Sequence, residues 1–551
     1  MNSMKNKLRI GILLDSFVLP SWYDHVFQSI QNSHFAKIEL IILNDSAKLE
    51  QSTPPKHARN YNLLLYTLLK SLENSKSKSN PFTLTDTSVL LKNIPTLTVS
   101  PIKSKFSDTL SENDISEIKK YEIDILFTAG FRILRGDILN CSKYGVWSYH
   151  HGDNDTNRGG PPALWEVLLN QPITGSIIQI LNEDLDGGKT LYKSYSTTNT
   201  YSINKNKNEL YWKSSSFFAR CVQELFELGA DTFFKNIEHK NSLPNFYDSK
   251  MYSTPTNKEL LPLFFKYYFK KFLHKIDSKF YFNQWTLMFY FGKDLQKSFW
   301  RYKPLIPSKD RFWAKPFVFF QDGHYYVFLE EYLYSKSKGH ISVIEFEPPN
   351  NFEKPVIVLE KSFHLSHPFV FEYENELYMI PETTENSVML FKCTDFPNQW
   401  NFEKNILSEI KCVNPTLFYK NNKWWLFLGT FANNFSSNSD ELSVFFTDDP
   451  INGTWKSHPR NPIISDTRTA IPAGNIFEYN DSLIRPSQNN SFEYGHGLTM
   501  NKITTLTESE YSEEQISTLE PNWNNKIKGF HTLNFSNGLS VIDAKRRRKL
   551  Y

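Results

Sequence analysis

The chain has 551 residues, enough for two or three domains, and a formal net charge of +3, so it offers no overall electrostatic attraction to nucleic acid. Its four cysteines, Cys141, Cys221, Cys393 and Cys412, are scattered without metal-ligand or redox spacing, and no metal is expected. No apolar run reaches the roughly eighteen residues of a membrane-spanning helix, while 45 Phe and 28 Tyr point to abundant β-structure.

Residues 8–14 (L-R-I-G-I-L-L) read as a buried strand ending at Asp15 and Ser16, not as a signal peptide. Trp22, Val26, Phe27 and Ile30 recur at helical spacing over 21–31, and residues 38–43 (I-E-L-I-I-L) form a second strand that ends at Asn44 and Asp45. Strand, helix, strand predicts a right-handed parallel crossover, the opening of a doubly wound sheet. Residues 46–85 are rich in Lys, Ser and Asn, with one helical apolar segment at 61–72. A buried strand at 123–129 ends in Gly130 and Phe131, and a short helix is expected at 133–140.

The next stretch organises the chain. Val146 and Trp147 lead into the polar cluster Ser148-Tyr149-His150-His151-Gly152-Asp153-Asn154, and the loop Asn157-Arg158-Gly159-Gly160-Pro161-Pro162 follows. Then come a helix at about 163–170, a strand at 176–181 and a tight turn at Leu185-Asp186-Gly187-Gly188. Polar groups gathered at strand ends in such a unit mark where open α/β sheets keep their ligands. Read alone, the two histidines serve equally well to satisfy a buried loop, and His151 and Asp153 to hydrate one.

In this order, Gly145-Val146-Trp147-Ser148-Tyr149-His150, Arg158-Gly159-Gly160-Pro161-Pro162 and Leu185-Asp186-Gly187-Gly188 resemble the catalytic core of the 10-formyltetrahydrofolate-dependent formyltransferases, which include the sugar N-formyltransferases. The resemblance implies a doubly wound, formyltransferase-type α/β domain over 1–240, with 10-formyltetrahydrofolate as formyl donor. It implies catalytic roles for His150 and Asp186, with Ser148 standing where the family has Asn. Donor binding would fall to Gly130, Phe131, Asp184, Leu185 and Gly187, and substrate binding to His151, Asp153, Asn154, Arg158 and Gly159. In that chemistry a free amine attacks the formyl carbon and an imidazolium at His150 stabilises the negative oxygen. The Asp186 carboxylate keeps the ring charged and takes the amine proton. A serine hydroxyl also donates a hydrogen bond, but it is shorter than the amide and reaches a different point.

After a strand at 191–195, residues 207–234 carry an amphipathic pattern (Phe217, Phe218, Val222, Leu225, Phe226) expected to be one helix closing the first domain near 240. Residues 241–279 read as a helical linker whose centre, 258–275, interleaves aromatics with lysines. Such a stripe suits packing between domains, with a membrane surface as the alternative.

From 280 the pattern changes to short aromatic strands separated by Asp-Gly, Asn-Asn and Asn-Gly turns. Lys315-Pro316-Phe317, His367-Pro368-Phe369 and Asn414-Pro415-Thr416 open copies spaced by about fifty residues, and weaker copies at 474–484 and 531–542 complete five. Phe312-Trp313-Ala314-Lys315-Pro316-Phe317, Arg485-Pro486-Ser487-Gln488 and Phe530-His531-Thr532-Leu533-Asn534 resemble the five-bladed β-propellers of the glycoside hydrolase type. They are more similar to the N-terminal propeller of plant glucosamine inositolphosphorylceramide transferase-like proteins. The resemblance implies an all-β five-bladed propeller over 280–545. The basic tail that follows at 546–551 reads as solvated, with a membrane surface or an anionic partner as the alternative. With Lys315 and Asn414 at the repeat positions, the paired carboxylates of glycoside hydrolysis are missing. The propeller is therefore read as a glycan-binding or scaffolding module, with Lys315, His367, Arg485 and His531 at its funnel.

Together these features imply an N-formyltransferase acting on the amine of a nucleotide- or lipid-linked amino sugar in surface polysaccharide biosynthesis. A cytoplasmic location is expected, with a glycan or a glycosyltransferase as partner, peripheral membrane contact as an option and no nucleic acid. The alternatives are a formyltransferase fold reused for glycosyl or other group transfer, and a non-catalytic glycan-binding protein.

Overall fold

The computed structural model describes residues 6–45, 61–73, 79–154, 158–184, 187–243, 250–347, 351–436 and 439–550. The chain divides into two compact units, Met1–Phe269 with Asn433–Ser436, and Lys270–Ala432 with Ser437–Tyr551.

In the first unit β1 (Leu8–Leu14), α1 (Ser21–Gln31) and β2 (Ala36–Asn44) form a strand-helix-strand opening, with β1 and β2 parallel. Strands β3 (Thr96–Val99), β4 (Ile125–Thr128), β5 (Val146–His150), β6 (Ile173–Ile180) and β7 (Lys189–Thr197) complete one sheet, in the order β7-β6-β5-β4-β1-β2-β3. Strands β5 to β3 along this order run parallel, and β6 and β7 return antiparallel. Alternation along the strands fills both faces. Ile10, Ile12 and Leu14 join Trp22, Phe27, Phe127 and Phe218 on one side, whereas Leu13 joins Leu40, Ile42, Leu126 and Val146 on the other. Full burial of each such side chain contributes about 2 kcal/mol.

Three segments depart from the sequence expectations. Residues 133–140 are not a helix, because Arg132 donates to the Asp108 carboxylate and to the Ser104 and Ser107 carbonyls. That draws Ile133–Leu134 into parallel pairing with Ser107 and Asp108, and beyond Gly136, at φ +78°, only the 3-10 turn Asp137–Asn140 is helical. The helix expected at 163–170 is the single turn Trp165–Leu168, bounded by left-handed Ala163 and Asn170 and preceded by two prolines without amide donors. The long helix expected over 207–234 is broken into α2 (Ile203–Ser214), α3 (Phe217–Leu228) and α4 (Ala230–Lys240). The hydroxyls of Ser214, Ser215 and Ser216 donate back to the carbonyls of Tyr211, Trp212 and Lys213, and Gly229 takes φ +79°.

Helix α5 (Asn257–Phe280) starts on a reciprocal cap in which Thr256 and Glu259 each accept the other's backbone N–H. Leu260 and Tyr267, with Leu263 and Phe264, pack against Leu69, Leu164, Leu168 and Ile203. This face is narrow, and Leu261, Phe265, Phe269, Phe272, Ile276 and Phe280 on the remaining side of the helix are exposed.

After α5 the second unit is all-β. Among the described residues it holds five antiparallel sheets. The first pairs β8 (Tyr281–Phe291) with the last strand of the chain, β20 (Leu539–Lys549). The others are built on β9 (Arg311–Gln321), β10 (His324–Leu333) and β11 (Lys338–Glu347); β12 (Leu365–Tyr373) and β13 (Glu376–Thr383); β14 (Cys412–Lys420) and β15 (Lys423–Thr430); and β16 (Ser482–Asn489), β17 (Gly497–Leu506) and β18 (Tyr511–Leu519). The hairpin of β19 (Leu533–Ser536) with β20 belongs to the first sheet. Asp322-Gly323, Glu374-Asn375, Asn421-Asn422, Asn480-Asp481 and Asn537-Gly538 form two-residue turns with both residues at positive φ, the turn whose twist matches its flanking strands. Run 546–549 is not a tail: Arg546 pairs with Gln284 and Lys549 with Tyr281 across the β8–β20 ladder.

Candidate functional site

The carboxyl ends of β4 and β5 open onto a cleft of about 380 Å3 within the first unit. Alternation in β5 sets the face each side chain takes, and Tyr149 borders the cleft from the buried side. Trp147 and Tyr149 pack into the apolar cluster beneath α1 and α3, and the Tyr149 hydroxyl accepts the Phe218 N–H at 3.0 Å. Burial holds that phenol well above its ordinary pKa. Ser148 and His150 occupy the opposite face of the strand and line the cleft. Directly across the β5–β6 ladder from Ser148 stands Gln179, a third cleft residue. Its Oε1 lies 3.4 Å from the Asn154 Nδ2 that donates to it, which leaves Nε2 as the donor end of the amide.

The loop after β4 forms the adjoining wall. Asp15 accepts from Asn44 Nδ2 at 2.8 Å and from the Phe131 N–H at 3.0 Å, holding Phe131 at φ +65°. A Cβ on Gly130 would stand 2.5 Å from the Asp15 nitrogen, so only glycine permits this approach. Ile133, Leu134 and Leu181 add apolar surface. On the far side Asn182 donates to the Gly187 carbonyl at 2.8 Å and accepts the Asp184 N–H at 3.2 Å. Leu185 and Asp186 lie outside the described residues.

Of the residues expected at the site, Gly130, Phe131, Ser148, His150, His151 and Asp184 line the cleft. His151 does so from the buried side: its ring stacks on Tyr211 at 3.7 Å, and Nδ1 lies 3.4 Å from the hydroxyls of Ser176 and Ser214. Burial first, then the nearby His150 and Lys207, push its pKa down to about 3, so the ring is neutral at pH 7. The structure places Asp153, Asn154, Arg158, Gly159 and Gly187 outside the lining. Asp153 pairs with Lys193 at 3.2 Å, and the Arg158–Gly160 backbone docks on Tyr252. There Gly159 sits at φ +88° with the Tyr252 oxygen 2.0 Å from where a Cβ would stand. Trp22, Tyr23, Gln179 and Tyr211 line the cleft without having been singled out in the sequence. Gln179 carried a signal, as the one amide in the apolar run Ile177-Ile178-Gln179-Ile180; the aromatics read only as helix faces.

The second unit gathers its own buried polar cluster. Lys315, His367 and Asn414 each take positive φ before a proline, and the β9–β10, β12–β13 and β14–β15 ladders all shift at these points. Proline has no N–H to give the ladder, so each pair forms a bulge. Lys315 Nζ donates to Glu382 at 2.8 Å, and Glu382 also accepts the Asn414 N–H at 2.9 Å. Burial works against both charges, but their mutual attraction raises the Lys315 pKa and lowers that of Glu382. His531 Nδ1 lies 2.6 Å from Asp543, with Trp285 stacked on the ring at 4.0 Å. Burial, reinforced by Lys315, pushes His367 down to about 3. Arg485 belongs to a different network, a two-pronged bond to Glu513 at 2.8 and 2.7 Å.

The sequence profile described as "Glucosamine inositolphosphorylceramide transferase 1, N-terminal" matches residues 305–538. The rice (Oryza sativa subsp. japonica) glucosamine inositolphosphorylceramide transferase 1 is 33% identical over 210 residues, covering 37% of this chain and 28% of the rice protein. The chain therefore matches little more than a quarter of that relative's length. A methionyl-tRNA formyltransferase of Prochlorococcus marinus is 32% identical over 92 residues, 16% of this chain and 27% of that protein. Among solved structures, a family 117 glycoside hydrolase from Zobellia galactanivorans covers 48% of this chain and 90% of its own, at 11% identity and a TM-score of 0.32.

Proposed function

We propose that the first unit transfers a formyl group from 10-formyltetrahydrofolate to the amine of a nucleotide- or lipid-linked amino sugar. The observation that carries this reading is the cleft itself, where the end of β5 holds Ser148 and His150, and the antiparallel β6 holds Gln179, beside an apolar wall. The cleft's chemistry fits the donor: Phe131, Ile133 and Leu134 offer a surface for a flat ring, and Gly130, packed against Asp15, lets Phe131 take its place in that wall. The donor, when bound, supplies an activated formyl carbon. As the amine attacks the formyl carbon, His150 would stabilise the oxygen that becomes negative, and Ser148 and Gln179 would donate hydrogen bonds to it. Asp186 would take the amine proton and return it to the donor nitrogen as the old formyl C–N bond breaks. The partial match to a methionyl-tRNA formyltransferase supports the same reading.

The second unit is, in this reading, a five-bladed propeller that binds a glycan or a partner enzyme. A belt of bonds supports the five-bladed arrangement. It runs from Asp543 to the Lys315 N–H, from Lys315 to Glu382, from Glu382 to Asn414, and from Asn414 to the Pro472 carbonyl. Asn534 accepts the Asn475 N–H and donates to the Pro316 carbonyl, which returns the belt to its start.

The test is formylation of a panel of nucleotide-linked amino sugars, with His150→Ala as control. Removing a donor to the developing oxyanion is expected to lower the rate on the order of a hundredfold. Turnover unaffected by His150→Ala would sink the assignment. A second reading, transfer of another group by the same cleft, is favoured by Ser148 standing where the formyltransferases carry Asn. Binding of nucleotide sugars without binding of folate would select it.

A further inference from the structure

Helix α5 presents an apolar stripe to solvent. Leu261, Phe265, Phe269, Phe272, Ile276 and Phe280 are all exposed, Phe265 and Phe269 by 66% and 61%. Their spacings of three and four residues confine them to an arc of about 120° along a helix about 36 Å long. Lys266 borders one edge of this arc, and Lys275 and Lys279 border the other, all three exposed. The two acids of the helix are engaged within the protein, Glu259 with Lys250 at 3.3 Å and Asp277 with Arg547.

A second basic element lies beside the carboxyl end of the stripe. The β8–β20 register sets Lys549 opposite Tyr281 and Arg546 opposite Gln284, and the Leu550 N–H donates to the Phe280 carbonyl at 2.9 Å. Lys549 and Leu550 are exposed there, next to Phe280. The helix and the strand end thus join apolar side chains to cationic ones, with the local acids neutralised.

We propose that α5 and the end of β20 form a docking surface for an anionic lipid bilayer, with the helix lying in the plane of the interface. The stripe is a convex ridge one helix wide that enters the acyl boundary, while the lysine stems reach back to lipid phosphates. No helix among the described residues is long and apolar enough to cross a membrane, so α5 lies on the bilayer rather than through it. This surface is independent of the formyl-transfer reading.

The test is flotation of the full chain with vesicles of phosphatidylcholine alone or mixed with phosphatidylglycerol. Binding is expected to the mixed vesicles only, and to weaken with added salt. Lys266→Ser/Lys275→Ser/Lys279→Ser should reduce partitioning on the order of a hundredfold, and Phe265→Ser/Phe269→Ser/Phe272→Ser should abolish it. As a gain of signal that does not depend on a weakened variant, Phe269→Cys carrying an environment-sensitive dye should brighten on the mixed vesicles. No flotation, flotation unchanged by both triple variants, or a dye that stays dim would overturn the proposal. So would lipid-free self-association of the chain that the Phe→Ser variant abolishes.

Discussion

Ser148 and Gln179 face each other across the β5–β6 ladder, with Cβ atoms about 5 Å apart by the geometry of antiparallel pairs. In the proposed transfer, the longer amide of Gln179 would supply the hydrogen bond that the shorter Ser148 hydroxyl does not reach. Gln179→Ala is therefore expected to lower kcat tenfold or more while donor affinity stays constant, and Ser148→Asn to raise it. Steady-state kinetics of the two variants check this, and an unchanged kcat in Gln179→Ala would remove the amide from the reaction. The resemblance gave His150 a catalytic role and the neighbouring His151 a substrate-binding one; both line the cleft, His151 from the buried side with its ring stacked on Tyr211. Burial of His151 and His367, both pushed down to about 3 from 6.5, has a consequence for stability. Below pH 6.5 the unfolded chain protonates these rings and the folded chain does not, so acidification favours unfolding and stability falls between pH 6.5 and 3. The loss is about 1 kcal/mol per ring by pH 5.5. Urea unfolding at pH 7.5 and 5.5 should show part of it disappear in His151→Phe, and an equal drop in parent and variant would contradict the assignment.

At the scale of elements, the repeated X-Pro bulges deliver Lys315, His367 and Asn414 into one buried cluster. Lys315→Met would leave the Glu382 carboxylate buried without its ammonium and is expected to cost about 3–5 kcal/mol. Lys315→Met/Glu382→Leu should recover most of that loss, since the apolar pair has no charge to desolvate. Denaturant midpoints of the second unit's transition measure both, and a single variant as stable as the parent would mean that the pair is not held as described. The hairpins of this unit were legible because Asp-Gly, Asn-Asn and Asn-Gly name their own turn geometry. The helices at 133–140 and 163–170 were not, because Arg132 binding to Asp108 and the left-handed Ala163 and Asn170 are tertiary choices with no periodic signature. The α5 stripe showed its residues plainly, but whether it met protein or solvent depended on which narrow face Leu260 and Tyr267 took.

Across the whole molecule, a net charge of +3 conceals six lysines within α5 alone, which is why overall charge said little about surfaces. The change of pattern near 280 announced an α/β region followed by an all-β one, and the structure contains both. The division after Phe269 fell within a continuous helix and left no break in composition. The motif order carried the candidate cleft, and Gln179 stood out as one amide in an apolar run, but the aromatic lining came only with the packing of α1 and α2 around β5. The most direct measurement is calorimetric titration of the full chain with 5-formyltetrahydrofolate, a stable analogue of the donor, beside Gly130→Val. The account predicts one saturable site in the parent and its loss in the variant, whose side chain would press on Asp15 and displace the Phe131 wall. No heat of binding from a folded parent, or undiminished binding by Gly130→Val, would contradict a folate site in this cleft.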